Sequence, residues 1–235
     1  MAATRQTLWK LLLIVALMAA VELGVFWYQM PTEFREMEPG RRYLMFNASL
    51  YWFLWALRGA TVLLFVLQAY QGCDSGGKLT YTLRRLPMGE RAVTTLWAVV
   101  HMAGHWILWA AQLAVVLVCW RKYCSCYEVF APTLELFTQF YRGDFLHGLL
   151  PLADLSYAIC LGLQMVTLGV AAAYYGFVQR KGKWPKAPIL VLALSMAYFP
   201  AGYDNNGLEI ALIVIDCVFL GYMLWQIWWG EYEEA

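Results

Sequence analysis

Long apolar stretches recur along the whole chain and restrict what it can fold into. Each stretch holds about 20 residues with few charges, the length that an α-helix needs to cross the hydrocarbon core of a bilayer. We count six of them, so the sequence predicts an all-α, polytopic integral membrane protein with six transmembrane helices. Their approximate limits are residues 8–28, 49–70, 95–120, 149–177, 188–203 and 208–229.

The composition agrees with a lipid environment. Charged residues make up 14% of the 235 residues and apolar residues 62%, whereas about a quarter of a soluble domain is charged. The first stretch is too long for the apolar core of a cleaved signal peptide and lacks a small-x-small cleavage site, so we interpret it as a retained span. No linker or soluble segment is evident, which predicts a single transmembrane domain over residues 1–235.

Lysine and arginine residues in the connecting segments indicate the orientation. With the N-terminus in the cytoplasm, the inner segments hold ten of these residues and the outer segments hold six. Basic residues favour the cytoplasmic side of a membrane. Both termini are therefore predicted to be cytoplasmic, in a multi-pass protein of the plasma membrane. The net charge of +1 argues against nucleic acid as a partner.

The segment between the second and third spans, KLTYTLRRLPMGERA at residues 78–92, is short, basic and interrupted by a proline. Three of its leucines lie four and three residues apart and share one face of a predicted helix. Pro87 cannot continue that helix, and Glu90 suits the first turn of the next one. The pattern predicts a compact basic surface on the cytoplasmic face. It can serve as an anchor to anionic lipid or as a docking element for a cytoplasmic protein.

Six spans, cytoplasmic termini and the LRRLPMGER element resemble the permease subunits of ATP-binding-cassette exporters of the type-2 class. In that family the segment between the second and third spans forms a coupling helix that docks on the ATPase. The resemblance implies a dimer with itself or a related permease, and a separate ATPase subunit that carries ATP and Mg²⁺. It implies no cofactor on this chain. The residues that it assigns to ATPase coupling are Leu79, Leu83, Arg84, Arg85, Leu86, Pro87, Glu90 and Arg91.

The longest outer segment precedes the fourth span, and its residues 132–145 have the pattern of an amphipathic helix. Pro132 is a helix start signal, and we expect the helix to lie on the outer leaflet. Many permeases of the type-2 exporter family carry helical insertions before the last span. At that place this chain has only the short turn YDNNG. The apolar residues at helical spacing are Leu134, Phe137, Phe140 and Tyr141.

Ionisable residues inside the spans are costly in lipid and are candidate functional positions. Glu22 and Arg58 lie at similar predicted depths in the first two spans, so an ion pair between them is expected. Asp216 in the last span is an alternative partner for Arg58. Asp154 lies near the outer end of the fourth span, where it can cap the helix after Pro151.

The motif HMAGHW in the third span places His101 and His105 on one face of the helix. An integral-membrane enzyme that binds a metal or haem through them is an alternative function. The zinc-protease signature needs a Glu between the two histidines, and a haem held between spans needs a ligand from a second helix. We therefore predict no metal site, and expect both histidines to form interhelical hydrogen bonds or to face a polar cavity.

The absence of a G-x-x-x-x-G-K-[ST] phosphate loop indicates that this chain is not an enzyme by itself and that ATP hydrolysis belongs to a partner. Apolar, aromatic-rich spans without a charge-lined path favour an amphipathic or hydrophobic substrate, such as a peptide, a drug or a lipid-like molecule. A third alternative is a non-transporting assembly subunit whose basic segment meets only membrane lipid.

Overall fold

The structure, a computed structural model, describes residues 2–33, 46, 50–73, 89–126, 132–152, 154–199 and 206–230. Within these residues all regular structure is α-helical, and this confirms the predicted all-α class for the described part of the chain. The helices are α1 (Ala2–Glu33), α2 (Tyr51–Gly72), α3 (Glu90–Cys126), α4 (Pro132–Arg142), α5 (Asp144–Leu149), α6 (Leu155–Arg180), α7 (Lys186–Tyr198) and α8 (Asn206–Trp229).

Five of the described helices, α1, α2, α3, α6 and α8, are long and apolar enough to cross a membrane. The protein is therefore a multi-pass membrane protein. Helix α7 has 13 residues, which at 1.5 Å per residue is about 20 Å, less than the roughly 30 Å of a hydrocarbon core. The sixth crossing, and with it the common side of the two termini, stays a prediction.

The fourth predicted span began at residue 149, but α6 begins at Leu155. The side chain of Asp154 fixes this start, because its Oδ1 accepts hydrogen bonds from the backbone N–H groups of Ser156 and Tyr157 at 3.0 and 3.2 Å. These N–H groups lack partners inside the helix, and a carboxylate at this position satisfies them. Leu149 instead ends the separate helix α5.

The fifth predicted span continued to residue 203, but α7 ends at Tyr198. Pro200 follows in the sequence, and a proline disfavours helical geometry at the residue before it, here Phe199. Residues 200–203 of the predicted span lie outside the described residues.

The described residues gather into two compact units. Unit 1 comprises Met1–Ala60, Leu108–Ala158 and Tyr198–Asn206. Its core is aromatic: the ring of Phe46 meets Phe26 and Trp120 edge-on, with centroids 6.1 and 5.1 Å apart. Trp120 in turn stacks on Tyr123 at 5.4 Å. Large buried rings such as these supply much of the packing energy of a core.

Unit 2 comprises Thr61–Ile107, Ile159–Ala197 and Gly207–Ala235. Its core forms around α6, where small residues allow neighbouring helices to come close. A Cβ on Gly169 would lie 2.5 Å from the backbone nitrogen of Met102 in α3. A Cβ on Gly176 would lie 2.6 Å from the Cα of Gly72 in α2. Both helices therefore pack against α6 through backbone contact.

Candidate functional site

Polar groups from four helix ends meet in unit 2, and we name this set the Arg180 cluster. It joins the end of α2, the beginning of α3, the end of α6 and the last turn of α8. Its members are Gly72, Glu90, Arg91, Thr94, Arg180, Lys181 and the backbone carbonyl of Trp228.

The guanidinium of Arg180 is the centre of the cluster. Its Nε donates to Glu90 Oε1 at 3.0 Å, its Nη1 to the carbonyl oxygen of Gly72, and its Nη2 to the hydroxyl of Thr94 at 3.3 Å. The side chain is 1% exposed, and it lies 5.5 Å from the centroid of the Trp97 ring. A buried charge is tolerated when it is paired and hydrogen-bonded, and both conditions are met here.

Glu90 and Arg91, in the first turn of α3, extend the cluster to two further groups. Glu90 Oε2 lies 3.2 Å from Lys181 Nζ, and a carboxylate in the first turn also complements the helix dipole. Arg91 Nη1 donates to the carbonyl oxygen of Trp228 at 2.6 Å, which satisfies one of the carbonyls left unpaired at the end of α8.

The close approach of α2 and α6 explains how Arg180 reaches Gly72. Gly72 and Gly176 touch through their backbones, and Arg180 follows Gly176 by one helical turn. The guanidinium is thereby brought to the last carbonyl of α2, which has no partner inside its own helix.

The Arg180 cluster joins the two helix ends that flank residues 73–89, and these residues include most of the predicted coupling segment. Gly72 ends the helix before the segment, Glu90 begins the helix after it, and Arg180 bonds to both. Glu90 and Arg91 are the two predicted coupling residues that the structure describes. The other six lie outside the described residues: Leu79, Leu83, Arg84, Arg85, Leu86 and Pro87.

Sequence reasoning missed Gly72, Thr94, Arg180 and Lys181 as site residues. Arg180 and Lys181 were counted only as basic residues of an inner segment. One signal was available, because Glu90 is the sole acidic residue between positions 75 and 100 and is surrounded by basic segments. An isolated acid among basic residues is a candidate for an ion pair, although the sequence does not identify the base.

The expected partners of Glu22 and Arg58 differ from those in the structure. Glu22 Oε2 accepts a hydrogen bond from Gln112 Nε2 at 3.0 Å. Its Oε1 has no hydrogen-bond partner among the described residues, so Arg58 does not donate to it. The two predicted depths are similar, but depth does not determine the direction in which a side chain points around its helix axis.

Arg58 satisfies the end of α7 instead. Its Nε donates to the carbonyl oxygen of Phe199 at 2.8 Å, and its guanidinium lies 5.3 Å from the centroid of the Trp55 ring. Phe199 directly follows the last residue of α7, where carbonyl groups lack partners and a positive charge is favourable. The alternative pairing of Arg58 with Asp216, a buried residue of α8, stays a prediction.

His101 and His105 are both buried in α3. Gln68 of α2 donates from Nε2 to the backbone oxygen of His101 at 3.2 Å. Gly104 makes room for this amide, since a Cβ there would lie 2.7 Å from Gln68 Nε2. The hydrogen bond between α2 and α3 is thus made by the backbone of His101. In the described part of the chain, no three His, Cys, Asp or Glu side chains are placed to hold a metal ion.

Asp154 acts as the N-cap of α6. Its Oδ1 accepts from the hydroxyl of Ser156 at 2.8 Å as well as from two backbone N–H groups. These hydrogen bonds hold the pKa of Asp154 below its usual value. The hydrogen bond from the Ser156 hydroxyl has the largest effect on this pKa. This position of Asp154 indicates a structural role.

The groups of the Arg180 cluster are engaged with one another, so the arrangement can hold helix ends together and transmit a displacement from one to the next.

Comparison of the chain with protein-family models, curated proteins and solved structures gives no match. Function is therefore inferred from the residues and contacts of the chain itself.

Proposed function

We propose that this chain is the membrane-spanning permease subunit of an ATP-binding-cassette exporter of the type-2 class. It forms a dimer with itself or a related permease, and separate ATPase subunits dock on residues 78–92. The observation that carries the proposal is that one buried guanidinium, that of Arg180, bonds Gly72 and Glu90, the two helix ends that flank residues 73–89.

A docking segment can drive a transporter only if its ends are firmly attached to the spans. Gly72 and Glu90, the helical residues on either side of residues 73–89, are both bonded to Arg180. Lys181, directly after α6, adds a second ionic contact to Glu90, and Arg91 extends the attachment to α8. When the ATPases bind ATP and close, a displacement of the segment shifts the ends of α2, α3, α6 and α8 together, and this rigid coupling favours one of two conformations.

A segment that only anchors the protein to lipid does not need ends that are firmly attached to the spans. Arginines near an anionic leaflet gain about 1 kcal/mol each from the surface charge, and this gain does not depend on how the segment ends are attached. A buried ion pair, in contrast, has a desolvation cost that only good geometry and further hydrogen bonds offset. The well-bonded Arg180 therefore favours mechanical coupling over simple anchoring.

The proposal includes a sixth crossing, with both termini in the cytoplasm. Phe199 is bonded to Arg58, which lies seven residues after Tyr51, or about 10 Å along α2. Residues 200–205 have an extended reach of about 20 Å, enough to cover this remaining distance before α8 begins at Asn206. Helix α7 together with residues 199–205 is therefore long enough to complete a crossing of the plasma membrane.

The proposed substrate is amphipathic or hydrophobic, such as a peptide, a drug or a lipid-like molecule. The described spans present mostly apolar and aromatic side chains at their exposed surfaces. A substrate that moves along a seam between two such permeases meets few charged groups. Electrostatic selection of a strongly charged substrate is correspondingly weak.

Co-purification in detergent tests the docking step. The tagged chain is expressed with the products of its neighbouring genes, beside an Arg84→Ala/Arg85→Ala variant and an Arg121→Ala/Lys122→Ala control at the far end of α3, where both residues are exposed. We expect an ATPase with a phosphate loop to co-purify with the native chain and with the control, and to be lost from the Arg84/Arg85 variant. An ATPase that binds all three chains equally contradicts docking on this segment.

An Arg180→Gln variant tests the coupling step separately. The docking surface is kept, so the ATPase should still co-purify and hydrolyse ATP. Because the helix ends that flank the segment are no longer bonded together, export of substrate from reconstituted vesicles should fall several-fold relative to the ATP hydrolysed.

If no ATPase binds the native chain, the protein is an anchor or assembly subunit. A purified chain with a haem absorption band or a bound transition metal would instead favour the membrane enzyme that uses His101 and His105.

A further inference from the structure

Glu22 of α1 and Gln112 of α3 form a pair within unit 1 that is closed off from solvent. Glu22 is 1% exposed and Gln112 0%. Gln112 Nε2 donates to Glu22 Oε2 at 3.0 Å. The two remaining oxygens, Glu22 Oε1 and Gln112 Oε1, are buried as well, and neither has a hydrogen-bond partner among the described residues.

An ionised Glu22 does not fit this environment. A carboxylate only accepts hydrogen bonds, and so does the amide oxygen of Gln112, so two buried acceptors are left without a donor. Glu22 also forms no ion pair within the described residues. A buried charge without a partner is among the least favourable groups in a protein interior, and in lipid no water is present to compensate.

A single proton resolves both deficits. Transfer of a proton from hydronium to Glu22 Oε1 forms an O–H bond, leaves water and makes the carboxyl group neutral. The protonated oxygen becomes a donor, and Gln112 Oε1 is a nearby acceptor that lacks one. A neutral acid and a primary amide can then donate to each other. We propose that Glu22 is a neutral carboxylic acid and that Glu22 and Gln112 together form a buried proton-binding site.

The groups around Glu22 agree with this assignment. Among the described residues of α3, the thiol of Cys119 interacts electrostatically with Glu22, and a thiol cannot supply a positive charge. Along α1 the preceding basic residue is Lys10, 12 positions earlier, or about 18 Å at the helical rise. The site thus binds its proton through hydrogen bonding and exclusion of water. It releases the proton only when water reaches the contact between α1 and α3.

Infrared spectroscopy tests the assignment on the full chain reconstituted in lipid at pH 7. A protonated carboxylic acid has its own carbonyl stretching band, and this band shifts when H₂O is exchanged for D₂O. Glu209 and Asp216 of α8 are also buried carboxyl groups, so the test follows the part of the band that belongs to Glu22. We expect the band to lose amplitude in Glu22→Gln and to keep it in Glu135→Gln, a control on α4 where the side chain is half-buried. A native chain without the band, or a band of undiminished amplitude in Glu22→Gln, overturns the proposal.

A second variant keeps the test decisive if Glu22→Gln does not fold. In Gln112→Leu the carboxyl group is retained but its amide partner is lost, so the band should move in frequency without disappearing. The native band should also keep its amplitude between about pH 5 and pH 8, because an exposed glutamate with a pKa of about 4.3 is ionised throughout that range. Loss of the amplitude as the pH rises within this range, or an unmoved band in Gln112→Leu, contradicts the proposed pair.

Discussion

Two glycines determine whether the Arg180 cluster can form. Gly72 and Gly176 bring the backbones of α2 and α6 into contact, and a Cβ on either residue would lie 3.1 Å or less from a backbone atom of the other. Backbone cannot move aside as the end of a flexible side chain can. The reach of Arg180 to the Gly72 carbonyl therefore depends on both positions having no side chain.

Gly176→Ala is predicted to destabilise the protein. The added Cβ forces α2 and α6 apart, and overpacking of this kind costs about 1–3 kcal/mol. Thermal unfolding in detergent measures the loss. The matched control is Gly221→Ala in α8, where a Cβ would meet nothing within 4 Å and alanine is the better helix former. Equal melting temperatures for the two variants would mean that the glycine contact is unimportant.

Asp154→Ala is predicted to weaken the start of α6. Loss of an N-cap costs about 1 kcal/mol, so the variant should unfold at a lower temperature than the native chain at pH 7. The hydrogen bonds hold the folded pKa of Asp154 below its usual value. Its contribution is therefore complete above a pH of about 3.9 and is lost as the pH falls through the lowered folded pKa.

The difference between the native chain and Asp154→Ala should accordingly shrink in acid. Asp144→Ala is the control, because Asp144 is an exposed residue in the first turn of the six-residue α5. A difference that grows as the pH falls contradicts the capping role of Asp154.

At the scale of elements, the C-terminal ends of four described helices are satisfied by side chains from other helices. Water cannot serve unpaired carbonyls inside a bilayer, so protein groups have to do so. Two of the donors are in unit 1 and two in unit 2. The pairs are Trp109 Nε1 with the oxygen of Leu149 at 2.8 Å, Arg58 with Phe199, Arg91 with Trp228, and Arg180 with Gly72.

Removal of Arg180 is predicted to cost more than removal of its ionic partner. Arg180→Gln breaks the bond to Glu90 and leaves the carbonyl of Gly72 with no cationic donor, whereas Glu90→Gln still leaves Arg180 its bonds to Gly72 and Thr94. A double-mutant cycle by denaturant unfolding should give a coupling energy of about 0.5–3 kcal/mol for this contact. A coupling energy of zero would show that the two side chains act independently.

Sequence length and hydropathy predicted the α-helical class and the five helices that are long and apolar enough to cross a membrane, because the cost of exposing backbone groups to lipid leaves few alternatives. They did not locate the end of the helix in the fifth span, since hydropathy counts apolar residues and does not identify helix ends. The signal was Pro200, which the apolar count ignored. The contact partners of Arg58 and Arg180 could not be predicted, because they depend on helix rotation and on close packing between residues distant in the chain.

The orientation of the whole molecule can be tested with cysteine labelling. Cys126 is exposed at the end of α3, and the proposed topology places it outside the cell. A membrane-impermeant maleimide should therefore label intact cells expressing the native chain. The label should be lost in Cys124→Ser/Cys126→Ser and retained in Cys73→Ser, which alters the residue directly after α2. Labelling that requires permeabilised cells would reverse the proposed orientation.

The bond between Arg58 and Phe199 has a consequence for how the protein is made. Arginine near the centre of an inserting helix is unfavourable by about 2.5–3.5 kcal/mol, and α7, with 13 residues, is too short to enter the bilayer readily on its own. The contact between them favours both helices. The guanidinium of Arg58 gains a hydrogen-bond acceptor, and the carbonyl at the end of α7 gains a donor. Because α2 emerges from the ribosome long before α7, its stable insertion is completed only after synthesis of residue 199. Biogenesis of this chain is therefore expected to have a late, post-insertion step in which α2 and α7 lock together.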